Sequence, residues 1–273
     1  MKAIYTFWSK PYYNTGAKAF AGFLDEEMFY CSWILSVMTA SKYFDKIVLY
    51  TDAKGAIMLS KLNLPFDSTH IILDELNHLP VDLWGAPKLL VYSLQKEPYI
   101  HMDYDLFWWS KPPIELLHSE YVIECKYTCY KPKEGLAHLV ANAEYVPEVL
   151  QRIKDKVSYN IGIPGCGLYG GQNPLILAET AKVGLELIDK NPNYINSLLT
   201  PTNSIISMSL LNTIIEEYIP RILLNIEWTC LDTLMGGKEC HGHMLGEYKK
   251  LPSDCSNVKN LVKKEYPQYY NRL

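Results

Sequence analysis

Short apolar runs alternate with longer segments of helical spacing over the first 110 residues. The short runs are rich in β-branched and aromatic residues and are bounded by polar or turn residues, as buried strands are. The pattern predicts strands at 2–8, 46–52, 69–75 and 98–105 and helices at 22–41, 54–62 and 84–97. Because strands that alternate with helices indicate βαβ crossovers, we expect an α/β fold with a mostly parallel central sheet flanked by helices.

The second half of the chain has a less regular pattern. Pro174 suits the first turn of a helix that reaches about Lys190. The other expected elements are a strand within 114–130, helices at 145–157 and 204–218, a strand at 158–171 that runs into a glycine-rich turn, and a polar, Tyr-rich tail from 256 on. Since no repeat, low-complexity tract or linker divides the sequence, we expect one domain over residues 1–273.

Composition narrows the class of protein. With 48% hydrophobic and 21% charged residues the chain has the composition of a globular protein. Its 26 Lys and Arg against 30 Asp and Glu predict no broad cationic face, which disfavours nucleic acid as a partner. No run reaches the roughly 18 apolar residues of a membrane span, and the apolar run before Ser9 is too short for a signal peptide. The seven cysteines lack paired CxxC spacing. We therefore expect a cytoplasmic protein, with a peripheral position at the inner membrane face as the alternative.

Residues with binding chemistry follow three of the predicted strands. The first strand ends at Phe7 and Trp8, the second at Asp52, and the fourth at Asp103 and Asp105. Ligands of open α/β sheets bind beyond the carboxyl ends of the strands, so these residues should share one rim. There an aromatic ring could stack on a base, and Asp52 could accept a hydrogen bond from the base or a ribose. The alternative is that Trp8 belongs to the core and Asp52 caps a helix.

Asp103 and Asp105 flank Tyr104 in an extended segment, which points both carboxylates to the same side. Two like charges held this close are unfavourable unless a cation neutralises them. A divalent metal does so with oxygen ligands and also bridges phosphate oxygens. The pair follows an apolar strand and precedes the apolar residues 106–109, so it lies at the edge of a buried sheet. This context favours a metal site over a chance pair of surface acids.

Three cationic or imidazole side chains could complete such a site. Lys88 lies on the helix before Asp103, where it is either solvated or turned toward a phosphate or ribose. Far downstream, His243, Gly246 and Lys249 form the pattern His-x-x-Gly-x-x-Lys. An imidazole suits Mn²⁺ and can complete a metal site begun by carboxylates. A glycine permits close approach of the backbone to a diphosphate, and a lysine can place a cation on the leaving phosphate.

The combination of Asp103-x-Asp105 with His243-x-x-Gly246-x-x-Lys249 resembles the metal-dependent glycosyltransferases of the GT-A (nucleotide-diphospho-sugar transferase) fold. The closest likeness is glycosyltransferase family 8, the glycogenin and galactosyltransferase group. The resemblance implies that Asp103, Asp105 and His243 hold Mn²⁺ or Mg²⁺. It also implies that Gly246 and Lys249 contact the nucleotide diphosphate of the donor.

The resemblance covers about residues 1–250 and extends to further positions. Lys88 resembles the basic residue that the family places on the helix before Asp-x-Asp, and Asn160-x-Gly162 resembles a strand near the sugar and acceptor. A nucleotide-binding half, about 1–110, and an acceptor-side half, about 111–273, are implied. The implied nucleotide contacts are Phe7, Trp8, Asp52, Lys88, Tyr104, Gly246 and Lys249, and the implied catalytic residues are Asp103, Asp105, Asn160 and Lys249.

The implied activity is transfer of a sugar from a nucleotide-diphosphate donor, with a UDP-sugar favoured, to a hydroxyl acceptor with retention of configuration. The acceptor could be a glycan, a lipid-linked molecule or a small molecule. One alternative is a catalytically silent protein of the same fold that binds nucleotide sugars. Another is an NAD(P)-dependent enzyme built on Gly165–Gly170, which reads GxGxxG. The residues that follow delay the next helix, so we expect a glycine-rich loop near the acceptor instead.

Two other patterns carry less weight. The cysteines and histidines between 230 and 255 could supply a tetrahedral zinc site, but they lack paired CxxC spacing. We expect buried thiols there. Glu216 and Glu217 lie near the end of a predicted helix, and the simplest interpretation is a solvated face with an acceptor-side role as the alternative.

Overall fold

A computed structural model describes residues 1–13, 16–127, 131–153, 163–199, 207–224, 228–236, 240–244 and 246–273. Seven strands of this part of the chain form one sheet, and two more form a small separate sheet. The strands are β1 (Lys2–Phe7), β2 (Lys46–Thr51), β3 (Ser68–Ile71), β4 (Tyr99–Met102), β5 (Leu106–Trp108), β6 (Val122–Tyr127), β7 (Ile163–Gly171), β8 (Thr229–Cys230) and β9 (His241–His243).

The order in the large sheet is β3-β2-β1-β4-β7-β6-β8. β1 runs parallel to β2 and β4, β2 runs parallel to β3, and β6 runs parallel to β8. Only β7 is antiparallel to its two neighbours in this sheet. The predicted α/β fold with a mostly parallel sheet is therefore confirmed.

Helices cover the sheet and link its strands. They are α1 (Glu26–Ala40), α2 (Ala53–Ser60), α3 (Ala86–Ser93), α4 (Ile114–His118), α5 (Lys131–Asn142), α6 (Glu148–Ile153), α7 (Pro174–Asp189), α8 (Pro192–Ser197), α9 (Met208–Thr213), α10 (Ile219–Leu224), α11 (Leu231–Met235), α12 (Pro252–Glu265) and α13 (Pro267–Tyr270). A π-helical turn, Ile214–Tyr218, joins α9 to α10, and 3-10 turns lie at Lys10–Tyr13, Gly16–Gly22, Leu73–Leu76 and Gly246–Lys250. None of the helices described here is long and apolar enough to cross a membrane.

The apolar core lies on both faces of the large sheet. Alternate residues of β1 belong to different apolar clusters, with Ile4 in one and Tyr5 in the other. The first cluster packs against α3 and α7, and the second surrounds α1, where Trp33 is fully buried. A strand buried on both faces has no polar side, which explains the continuous apolar runs of β1 and β2 in the sequence.

The predicted and observed elements differ in both halves of the chain. The segment from 69 to 75 divides into the end of β3 and a 3-10 turn, whereas the C-terminal tail contains α12, which the polar pattern did not predict. Buried Cys255 and Val262 anchor α12 against the core. The predicted glycine-rich loop at 165–170 is wrong, because these residues lie within β7.

Gly170 lies where β7 approaches β4 closely. Its φ is +149°, a backbone conformation that L side chains rarely adopt. A Cβ there would lie 2.2 Å from the carbonyl oxygen of Tyr99 on β4. Glycine therefore lets the two strands approach closely. Since the GxGxxG residues lie in an antiparallel strand and not in a turn that opens a helix, the geometry of a dinucleotide-binding loop is absent from this described segment.

Candidate functional site

The Asp-x-Asp segment follows β4 at the carboxyl edge of the sheet, between β4 and β5. The backbone N–H of Asp103 donates to the carbonyl of Gly167 on β7 (2.9 Å), and the N–H of Leu106 donates to the carbonyl of Asp103 (3.0 Å). The small sheet then brings in the distant histidine, because β5 pairs with β9 and Leu106 lies opposite His243. The N–H of Met244 donates to the carbonyl of Asp105 at 3.0 Å. Backbone pairing therefore fixes His243 beside the two aspartates.

Asp103, Asp105 and His243 form a cluster in which one ligand atom of each lies within 4.8 Å of the others. The Nε2 atom of His243 is 3.3 Å from Oδ1 of Asp105. The Asp105 side chain is 4% exposed and that of Asp103 is 23% exposed, so Asp103 is the more open of the two. Two carboxylates and an imidazole are a donor set that suits Mn²⁺. The residues predicted as metal ligands thus fit such an ion.

This cluster is the one group of potential metal ligands found among the described residues. The cysteines at 230, 240 and 255 are buried, so the prediction of buried thiols there is confirmed.

Lys88, on α3, is part of a buried charge cluster. Its Nζ atom is 2.8 Å from Oδ1 of Asp103 and 2.8 Å from Oε1 of Glu216. Burial opposes the charge on Lys88, but the two carboxylates raise its pKa well above the usual range. The alternative of a solvated helix lysine is therefore wrong. In this arrangement Lys88 fixes the orientation of Asp103.

Glu216 lies on the π-helical turn and is 1% exposed. The interpretation of Glu216 as part of a solvated face is wrong. Burial raises the pKa of Glu216 to about 7, although Lys88 acts in the opposite direction. The second carboxylate oxygen of Glu216, Oε2, has no hydrogen-bond partner among the described residues. Glu216 thus depends on Lys88 for the compensation of its charge.

Lys249 and Gly246 lie on the 3-10 turn before α12. The Nζ atom of Lys249 is 2.6 Å from Oδ2 of Asp105 and 4.9 Å from the centre of the Phe23 ring. Gly246 has a φ of +52°, and nothing lies within 4 Å of where its Cβ would be. This left-handed conformation favours glycine. The second predicted motif therefore meets the first at Asp105.

The two aspartates differ in acidity. Burial raises the pKa of both carboxyl groups, but Lys249 and His243 lower the pKa of Asp105 below its usual range. Asp103 has its pKa raised, because Lys88 compensates burial and the nearby charge of Asp105 only in part. Burial lowers the pKa of His243, but the carboxylates of Asp105 and Glu124 have the larger effect and raise it to about 10. A strongly anionic environment surrounds the imidazole.

The sequence did not predict Glu124, which lies on β6 and is 5% exposed. Both of its carboxylate oxygens are 2.9 Å from Nδ1 of His243. The sequence feature that could have indicated Glu124 is its position as the single carboxylate of the strand Val122–Tyr127. A charge within a buried strand requires a partner, which suggests a functional or paired role.

A cleft of about 720 Å³ opens over the cluster. One group of its lining residues is charged or titratable and comprises Asp82, Lys88, Asp103, Asp105, His243 and Lys249. A second group is apolar and includes Val81, Trp84, Leu198, Leu199 and Met208. The Trp84 indole is 44% exposed. The cleft therefore offers both a charged and an apolar surface to a ligand.

The aromatic residues predicted to contact the base also line this cleft but contribute to the core. Trp8 is buried, and its Nε1–H donates to Oδ1 of Asn77 at 3.4 Å. Phe7 is buried, and Tyr104 stacks on Trp33 with ring centres 4.6 Å apart. These aromatic residues thus line the cleft as members of a packed aromatic cluster.

Asp52 has a structural role. Its Oδ1 atom accepts hydrogen bonds from the N–H groups of Gly55 (3.0 Å) and Ser9 (3.1 Å), and its Oδ2 atom accepts one from the Ser9 hydroxyl (2.5 Å). Asp52 is the N-cap of α2. Because the carboxylate is buried and accepts these hydrogen bonds, its role in this structure is that of a helix cap, the alternative considered for it. Asn160 and Gly162 lie outside the described residues.

The sheet, the cleft and the acidic cluster define an α/β protein with a candidate divalent-metal site at the carboxyl edge of its parallel strands. The chain belongs to the family of unknown function DUF6734, whose profile it matches over residues 1–273. No curated protein matches the chain.

Proposed function

We propose that this protein is a metal-dependent glycosyltransferase of the GT-A fold, which transfers a sugar from a nucleotide-diphosphate donor, with a UDP-sugar favoured, to a hydroxyl acceptor with retention. The observation that carries the proposal is the cluster of Asp103, Asp105 and His243 within 4.8 Å in the cleft. These residues come from two distant motifs, and their convergence supports the family resemblance from which they were predicted.

The charge of the site supports a divalent cation. The carboxylates outnumber the lysines by two, which is the charge of one such ion with His243 as a neutral ligand. The described groups in this count are the carboxylates of Asp103, Asp105, Glu124 and Glu216 and the ammonium groups of Lys88 and Lys249.

Each residue then has a distinct role. A bound Mn²⁺ supplies Lewis-acid stabilisation of the leaving diphosphate. Asp103, Asp105 and His243 would hold the ion, and Lys249, which contacts Asp105, would supply a second cation for the leaving diphosphate. Lys88 keeps Asp103 in position through its bond to Glu216. The apolar group of the cleft, with the exposed Trp84 indole, supports an acceptor that presents an aliphatic surface or the C–H face of a sugar.

Thermal shift against nucleotide diphosphates and NAD(P), with and without Mn²⁺, tests the proposal. We expect one nucleotide diphosphate to stabilise the protein only when Mn²⁺ is present. Asp103→Ala, Asp105→Ala and His243→Ala should each weaken this binding at least about 100-fold, because even the groups behind a metal ligand contribute 10–100-fold. The matched control is Glu120→Gln, an exposed carboxylate of the same region.

Wild-type binding in all three variants would contradict the proposed site. Stabilisation by NAD(P) without metal would contradict the proposed function. Release of UDP from a UDP-sugar, with or without an acceptor, separates an active transferase from a catalytically silent binding protein, because only the former turns over its donor.

A further inference from the structure

The buried carboxylate of Glu124 contacts the edge of the His243 ring that points away from Asp105. Glu124 approaches Nδ1 of His243 with both oxygens at 2.9 Å, whereas Nε2 of the same ring lies 3.3 Å from Asp105. Both oxygens of the buried carboxylate approach this one ring nitrogen, and a carboxylate accepts hydrogen bonds, so Nδ1 of His243 is the donor.

Glu124 also holds the other histidine of β9. Nε2 of His241 is 3.3 Å from Oε1 of Glu124. β6 belongs to the large sheet and β9 to the small sheet, and so this carboxylate connects the two sheets at the site. The connection fixes the position of β9 through side chains as well as through its pairing with β5.

Gly167 on β7 leaves the space that this arrangement needs. A Cβ at Gly167 would lie 2.2 Å from Cε1 of His243 and 2.4 Å from Oε2 of Glu124. These distances are shorter than any real contact allows, so a side chain at 167 would displace the pair. One glycine of the GxGxxG segment is therefore explained by the ion pair between His243 and Glu124.

We propose that Glu124 is a positioning residue that orients the His243 ring with Nε2 toward the metal, and that Glu124 thereby gives the site its preference for Mn²⁺ over Mg²⁺. The inference rests on the metal site of the proposed function. A carboxylate behind a ligating histidine fixes the ring and increases its basicity. An imidazole ligand favours Mn²⁺, while Mg²⁺ prefers oxygen ligands alone.

The test measures the affinity of the metal-free protein for Mn²⁺, with electron paramagnetic resonance used to detect the free ion. The affinity for Mg²⁺ is measured by its competition with Mn²⁺. Glu124→Ala should weaken Mn²⁺ binding about 10–100-fold and Mg²⁺ binding less, so that the preference for Mn²⁺ falls. Glu124→Gln keeps one acceptor oxygen and should give an intermediate loss. Gly167→Ala, which changes no charge, should shift the preference in the same direction. Glu120→Gln is the control that should leave both affinities unchanged.

Thermal unfolding without metal shows whether each variant folds. Folded Glu124→Ala and Glu124→Gln variants with the Mn²⁺ and Mg²⁺ affinities of the wild type would overturn the inference and leave the proposed function intact. Equal losses for both ions would also overturn it, since a merely structural role changes both alike. If the wild type binds no Mn²⁺ with or without a nucleotide diphosphate, the metal site fails, and with it both the inference and the proposed function.

Discussion

The candidate site has two arms that differ in their supply of positive charge. In the Asp103 arm, Lys88 alone serves the carboxylates of Asp103 and Glu216. The second arm, the Asp105 arm, has two carboxylates that share a lysine and a histidine, and it consists of Asp105, Glu124, Lys249 and His243. The pKa is raised for both carboxyl groups of the Asp103 arm and lowered for both of the Asp105 arm. Burial raises the pKa of all four groups, so the number of nearby cations decides the direction.

This difference indicates which arm faces the ligand. Asp103 is more exposed to the cleft than Asp105, and its arm has only one cation, Lys88, for two carboxylates. A divalent ion placed between the aspartates would supply further positive charge. In the Asp105 arm a lysine and an imidazole already contact the two buried carboxylates, which suits a group that holds its geometry before the ligand arrives.

Removal of the lysine from each arm gives the largest expected difference. Lys88→Met leaves Glu216 buried without a cation, and we expect the free energy of unfolding to fall by about 3–5 kcal/mol above pH 7. The matched variant Lys249→Met leaves Asp105 paired with His243 and should cost less, about 1.5–3 kcal/mol. Urea denaturation of both variants measures the difference.

A double variant separates charge from packing in this comparison. Adding Glu216→Gln to Lys88→Met removes the unpaired carboxylate and should recover part of the lost stability. Equal losses for the two lysine variants, or no recovery in the double variant, would show that charge supply does not distinguish the arms.

The sequence predicted the residues that end strands and form short motifs, and it did not predict those that tertiary packing brings in. Asp103 and Asp105 follow from the two-residue period of an extended segment. Glu216 could not be placed from helical spacing, because the π-helical turn Ile214–Tyr218 shifts the register of side chains by one residue. Glu124 lies on a strand whose partner histidines are more than a hundred positions later, and no local pattern joins them.

The same reasoning explains the difference between the halves of the fold. In the first half, strands buried on both faces and the apolar helix α1, which is buried on nearly all sides, leave continuous apolar runs that are easily recognised in the sequence. In the second half, β7 has the sequence IPGCGLYGG. Two of its glycines are required by close contacts, Gly170 with Tyr99 and Gly167 with the pair formed by His243 and Glu124. Where glycines replace larger residues so that neighbouring atoms can approach the backbone closely, the strand loses the apolar pattern by which it is recognised in a sequence.

The pH dependence of stability should separate the arms with a smaller effect. Glu216 ionises at about pH 4.5 when unfolded and at about 7 when folded. Between these values the folded state holds the extra proton, so stability falls as pH rises, by about 3 kcal/mol in total. Glu124, whose pKa is lowered to about 2, contributes stability that is present above pH 4.5 and lost as pH falls. Unfolding of Glu216→Gln at several pH values should lack the decline toward pH 7. A wild-type profile in the variant would assign that decline to another group.

The smallest expected effect comes from Asp52, which lies on the same edge of the sheet but outside both arms. Asp52→Ala removes the cap of α2 and should lower the free energy of unfolding by about 0.5–2 kcal/mol. Nucleotide binding in the presence of Mn²⁺ should not change, because the hydrogen bonds that this carboxylate accepts come from Ser9, Gly55 and Thr51. Thermal unfolding and nucleotide titration of one preparation measure both quantities. Weaker nucleotide binding with unchanged stability would return Asp52 to the site, and the aspartate at the end of β2 would then have to exchange its bonds to Ser9 for bonds to the ligand.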